Sequence, residues 1–125
     1  MGIILHEGEY CRTKSGFIAK LIEIDDDGLC WFDGAITESG GETYNLLYPD
    51  EIDEVRKHYK DIINLIEVGD YINGLKVIEL EKTGGEVTWI DIGGLVDLIT
   101  YNEDIKNIIT KERMQKIIYE VKEED

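Results

Sequence analysis

Apolar and polar residues alternate with a period of two along much of this chain, most cleanly from Phe17 to Asp25. There Ile18, Lys20, Ile22 and Ile24 fall on one face and Leu21, Glu23 and Asp25 on the other, which predicts a β-strand. Glu9–Thr13 predicts a shorter strand before it, joined through Lys14-Ser15-Gly16, where glycine tolerates a positive φ. Asp26-Asp27-Gly28 carries the Asp-Gly turn signal and predicts a hairpin into Leu29–Asp33, with Trp31 mid-strand. Thr37–Thr43 turns at Ser39-Gly40-Gly41, and Tyr44–Tyr48 predicts one more strand before Pro49. Asp50–Lys57 fits either a helical turn or a strand end, and Tyr59–Ile66 predicts a short helix.

The pattern then restarts at Gly69. Asn73-Gly74 is the strongest two-residue hairpin signal in the chain. Lys76–Glu81 predicts a strand with Ile78 and Leu80 on one face and Val77, Glu79 and Glu81 on the other. Thr83-Gly84-Gly85-Glu86 turns the chain into Val87–Ile92, which carries Trp89. Ile105–Ile109 is strand-like, Thr110 is placed to cap a helix over Lys111–Gln115, and Ile117–Val121 predicts a closing strand.

The halves also correspond residue by residue. Gly8-Glu9-Tyr10 reappears as Gly69-Asp70-Tyr71, and Lys20-Leu21-Ile22-Glu23-Ile24 as Lys76-Val77-Ile78-Glu79-Leu80. Tyr48–Val68 lies without a gap over Tyr101–Val121, which sets Val55 on Ile108. The expected fold is α+β and mainly antiparallel β: a tandem pair of small SH3-like units, each closed by a short helix and strand. Residues 1–68 form the first unit and 69–125 the second, packed as one compact domain. Trp31 and Trp89 are expected in the core at related positions. Functional differences are expected where the halves disagree, at Gly34–Tyr44 and Gly93–Thr100.

Charge changes the picture. The chain has 28 acidic and 13 basic residues, a net charge of −15. A surface this negative repels phosphates, which disfavours direct binding to nucleic acid or an anionic membrane, and it steers basic proteins inward. Cys11 and Cys30 form no Cys-x-x-Cys pair and are expected as free thiols in a reducing cytoplasm. Met1–His6 has no basic n-region, and no apolar run approaches the ~20 residues that span a bilayer.

Signals for catalysis are missing. Asp25-Asp26-Asp27-Gly28 lacks the glycine and glutamate spacing of a calcium loop and reads as a turn. The doublets Gly40-Gly41 and Gly84-Gly85 precede glutamate rather than the lysine of a phosphate loop. His6 and His58 do not have metal-ligand spacing. A non-enzymatic protein without cofactor or metal is expected.

The carboxylates are the better candidates. Glu23 with Asp25, and Glu79 with Glu81, are expected to project from the solvent face of matching strands, opposite the isoleucines, at alternate positions roughly 6.8 Å apart along each strand. That spacing is near the distance between successive phosphates of a nucleic-acid strand. Asp50, Glu51, Asp53 and Glu54 form a second cluster. Such faces either mimic phosphates toward a basic nucleic-acid channel or serve as a solvated surface.

Ile66–Val77 (containing Gly69-Asp70-Tyr71-Ile72-Asn73-Gly74), Ile105–Glu112 with Tyr119-Glu120-Val121, and Arg12–Ile18 resemble small phage and prophage proteins of low-GC Gram-positive bacteria. The resemblance rests on turns and strand edges and implies a mobile-element accessory gene. With the acidic faces, it leads to the expectation of a protein that inhibits a host nucleic-acid-handling defence complex, such as a CRISPR effector. Its partner would be a basic host protein or nucleoprotein, with self-association between copies left open. Two alternatives stand beside it. One is a sponge for a nucleotide signal, using Arg12, Lys14, Arg56 and Lys57 as phosphate donors. The other is a virion assembly or tail adaptor.

Overall fold

The computed structural model describes residues 4–92, 98–99 and 105–117. Strands β1 (Tyr10–Thr13), β2 (Ile18–Ile24) and β3 (Cys30–Phe32) follow one another as antiparallel neighbours. A small hairpin, β4 (Thr37–Ser39) and β5 (Glu42–Tyr44), precedes β6 (Leu46–Leu47), which pairs with β3. A 3-10 helix (Pro49–Glu54) leads to β7 (Val55–Tyr59), which returns to pair with β1. The first sheet therefore runs β6-β3-β2-β1-β7.

A second 3-10 helix (Ile62–Leu65) joins this sheet to β8 (Tyr71–Ile72), β9 (Leu75–Lys76), β10 (Glu79–Thr83) and β11 (Glu86–Asp91). β12 (Leu98–Ile99) pairs with β11, and β13 (Ile108–Ile109) with β8. Helix α1 (Lys111–Ile117) follows, with Thr110 Oγ1 accepting the Arg113 N–H as a cap. The sheets run β13-β8-β9 and β10-β11-β12, and only Val77 and Ile78 separate β9 from β10. Traced along the chain, this is the pairing order of the first sheet met a second time. The architecture is α+β, mainly antiparallel β with short helical segments.

Local hydrogen bonds recur with it. Gly8 N–H donates to Leu21 O at 2.8 Å, and Gly69 N–H to Val77 O at 3.0 Å. The reciprocal bonds run from Leu21 to Glu9 and from Val77 to Asp70, at 2.8 and 2.7 Å. Glu9 Oε1 accepts His6 N–H, and Asp70 Oδ2 accepts Glu67 N–H, the same three-residue bracket in each half. The aligned residues Glu9 and Asp70 thus do the same backbone work.

Two buried apolar clusters lie behind these strands. Cys11, Ala19, Leu21, Phe32, Leu47 and Val55 anchor the first. Ile63, Ile66, Ile72, Val77, Val87 and Ile90 anchor the second. Cys11 and Cys30 are free and buried, and burial, with Glu9 and Cys30 nearby, pushes the Cys11 thiol up to about 12.

Four expectations need correction. In β2 the inward residues are Ala19 and Leu21, while Ile22 is 57% exposed and Ile24 also faces solvent. The pairing of Cys11 with Ala19 fixes that face, and a register shift between Leu21 and Glu23 opposite β3 breaks the alternation. Lys76–Glu81 is interrupted at Val77-Ile78, with Val77 buried and Ile78 exposed. Tyr59 ends β7, so the helix expected over Tyr59–Ile66 shortens to the 3-10 helix Ile62–Leu65. Trp31 and Trp89 are half-buried, because each indole N–H reaches a carboxylate at the sheet surface. The closing strand expected over Ile117–Val121 lies outside the described residues from 118 onward; Ile117 ends α1.

Gly16 fastens the first sheet to α1. Its φ is +96°, its carbonyl accepts Thr110 Oγ1 at 2.6 Å, and an added Cβ would stand 2.5 Å from that oxygen. Gly16→Ala is expected to lose roughly 1–3 kcal/mol from backbone strain alone, and more from the clash. Gly40→Ala, at φ +61° with nothing within 4 Å, carries only the strain. Urea unfolding of the two variants should separate the contact from the conformation.

Candidate functional site

Arg12 lies in β1 between two paired strands, yet its side chain is fully buried. A guanidinium in that position requires acceptors, and Leu65, Asp70 and Glu112 supply them to its two Nη atoms. Nη1 donates to Leu65 O at 2.9 Å and to Asp70 Oδ2 at 2.5 Å. Nη2 donates to Asp70 Oδ1 at 2.8 Å and to Glu112 Oε1 at 2.9 Å. The Arg12–Asp70 pair is bidentate, the geometry that suits a planar fork to a carboxylate. Asp70, equally buried, also accepts the backbone N–H groups of Glu67 and Lys111 at 2.7 and 2.9 Å. Burial works against the charge on Arg12, but the bonds and charges of Asp70, Glu112 and Glu67 outweigh it and raise its pKa.

Around this pair sits a second ring of charge. Glu67 contacts Arg56 at 2.5 Å, Lys111 at 2.8 Å and Lys57 at 2.9 Å, with Arg12 at 3.8 Å. Partial burial opposes ionisation of Glu67, yet Arg56, Lys111, Lys57 and Arg12 together hold its carboxyl well below the usual range. The stability Glu67 contributes is present above the unfolded value of 4.5 and is lost as pH falls through the lower folded value. Glu67→Gln should therefore flatten the acid limb of a stability-versus-pH curve below about pH 5. An acid limb equally steep in the variant would exclude that role.

The cations considered as phosphate donors are thereby accounted for. Arg12, Arg56 and Lys57 do converge, joined by Lys111, but on Glu67, Asp70 and Glu112. A phosphate entering there would meet three carboxylates. Lys14 is exposed and takes no part in the cluster. This arrangement ties β1 and β7 to the Glu67–Asp70 turn and to α1, with its cations directed at carboxylates.

The acidic residues fall into two kinds. Asp25 holds a turn: Oδ1 accepts Asp27 and Leu29 N–H at 2.9 and 3.0 Å, and Oδ2 accepts Trp31 Nε1 at 3.1 Å. The Trp31 bond, aided by these backbone donors, lowers its pKa. Glu81 Oε2 accepts Trp89 Nε1 at 2.8 Å. Glu23 stands opposite Trp31, and Glu81 opposite Trp89, so the Trp-facing register is two residues off the sequence match of Glu23 with Glu79. Glu23 and Glu79 are exposed and make no ion pair among the described residues. β2 and β10 belong to different sheets.

Asp50, Asp53 and Glu54 are exposed on the first 3-10 helix. Glu51 is half-buried and accepts Tyr48 N–H at 2.9 Å, closing the helix start. Sequence reading did not pair Arg12 with Asp70. The one available signal was the position of Asp70 in the repeated Gly-acid-Tyr segment. Among the described residues no group of three His, Cys, Asp or Glu side chains is arranged to hold a metal, and no helix is long and apolar enough to cross a membrane. Comparison with known proteins finds no family model, curated protein or solved structure that matches this chain.

Proposed function

We propose that this chain is a non-catalytic viral or prophage accessory protein that binds a basic host nucleic-acid-handling defence complex through its acidic surfaces and inhibits it. Two SH3-like units in tandem are the proposed scaffold. The recurring strand order and the matched bonds at Gly8-Glu9 and Gly69-Asp70 support that part of the reading. The observation that carries the functional part is where the cations go. Arg12, Arg56, Lys57 and Lys111 are drawn into one cluster around Glu67, Asp70 and Glu112. Exposed carboxylates such as Glu23, Glu79, Asp50, Asp53 and Glu54 are left to set the outward field of a chain with net charge −15. A field of one sign speeds capture of an oppositely charged partner and competes with phosphates for the same channel.

The test is competition. Labelled nucleic acid bound to a purified basic effector complex should be displaced as this protein is added. Displacement should weaken between about 50 and about 200 mM salt. Undiminished nucleic-acid binding at both salt concentrations would refute the proposal.

A further inference from the structure

Both halves bulge at the same place. On β2, Leu21 faces Phe32 and Glu23 faces Trp31, so Ile22 has no residue opposite it on β3. Its aligned counterpart is Ile78, between β9 and β10, whose N–H reaches Asp91 O at 2.8 Å while Glu79 also faces Asp91. Each extra residue breaks the alternation in the same sense. Leu21 and Val77 are buried, and the next two residues, Ile22-Glu23 and Ile78-Glu79, are exposed together. Ile22 is 57% exposed and Ile78 56%. The Glu23 and Glu79 carboxylates have no ion-pair or hydrogen-bond partner among the described residues.

A single exposed isoleucine needs no explanation. One repeated at the aligned bulge of a second half, beside an unpaired carboxylate, does, because a polar residue would serve the bulge equally well. Apolar surface next to such a carboxylate suits a side chain with an apolar stem and a cationic head. Lysine and arginine lay their methylenes along apolar surface and carry their charge at the tip. An anionic partner would be repelled by Glu23, Glu79 and the net charge of −15. A purely apolar one would desolvate both carboxylates without pairing them.

We infer that Ile22-Glu23 and Ile78-Glu79 are two equivalent docking points, each taking the stem and head of a basic side chain presented by a protein partner. The inference rests on the proposed binding to a basic protein. It adds an apolar contact that charge alone does not supply, and it places that contact once in each half.

The test is a nitrogen-15 NMR titration at about pH 6 with hexalysine, and with a hexapeptide of 2,4-diaminobutyrate, which carries the same charge on stems two methylenes shorter. Both peptides should shift residues 21–24 and 77–80. Hexalysine should bind roughly 3- to 10-fold more tightly, the effect of partly burying the additional methylenes. Ile22→Ser with Ile78→Ser should erase that preference, whereas Glu23→Gln with Glu79→Gln should weaken both peptides alike. Equal affinity of the parent for the two peptides, shifts in one half only, or a preference that survives the serine variant would overturn the inference. Equal affinity with shifts still at Glu23 and Glu79 would leave the acidic-surface reading standing. A stem preference with no displacement in the competition assay would support these docking points and remove the proposed target.

Discussion

Replacing Arg12 by alanine is expected to destabilise the protein by about 3–5 kcal/mol, because it strands a buried carboxylate. Asp70 is fully buried, and both its oxygens are bonded to the Arg12 guanidinium. Without that partner its charge faces only the N–H groups of Glu67 and Lys111. The Leu65 carbonyl and Glu112 lose a donor in the same step. Set against a total stability of roughly 5–15 kcal/mol, this loss moves the unfolding midpoint far. Arg12→Met combined with Asp70→Leu should recover part of the loss by removing both charges, but not all of it. The Glu67 and Lys111 N–H groups would then lack their acceptor, and Glu112 would keep only its 3.5 Å contact with Arg56. Urea unfolding followed by the fluorescence of Trp31 and Trp89 measures all three proteins. An Arg12→Ala variant within about 0.5 kcal/mol of the parent would show that the cluster does not fasten the halves.

Reversing charge at the exposed carboxylates should abolish inhibition and leave folding unchanged. Glu23→Lys with Glu79→Lys is the informative combination, since both side chains are exposed and make no ion pair among the described residues. Surface replacements of this kind shift stability by about 0.5 kcal/mol or less. The expected loss in potency is at least about tenfold, the effect of placing like charges against a basic channel. Asp25 and Glu81 are poor choices for this test. Each accepts an indole N–H, so their replacement confounds binding with the packing of Trp31 or Trp89.

Much of the fold was legible because it is written in local chemistry. Asn73-Gly74 takes φ values of +53° and +84°, and Gly84-Gly85 takes +61° and +85°, the positive pairs that tight hairpins require. The Tyr48–Tyr101 overlay set Val55 on Ile108, the first residues of β7 and β13. Facing was less legible. Alternation in β2 marks two faces, but Leu21 shares its side with Glu23 and Asp25, and only pairing with β1 and β3 decides which side is buried. The Arg12–Asp70 cluster was hidden for a different reason. Its members are spread over Arg12, Arg56, Lys57, Glu67, Asp70, Lys111 and Glu112, and nothing in a linear pattern couples residues that distant. Of the proposed contacts, spacing along a strand marked Glu23 and Glu79 correctly as surface groups, but gave no sign that Asp25 and Glu81 are tied to tryptophans.

The central claim is that an uncompensated acidic surface captures a basic nucleic-acid-handling partner. A pull-down from host lysate tests it most directly, with the parent protein and the Glu23→Lys, Glu79→Lys variant run in parallel. The account predicts a basic nucleoprotein retained by the parent near about 50 mM salt, released on raising the salt several-fold, and absent from the variant. Retention of no basic protein, or of one held equally by the variant and at high salt, would contradict it.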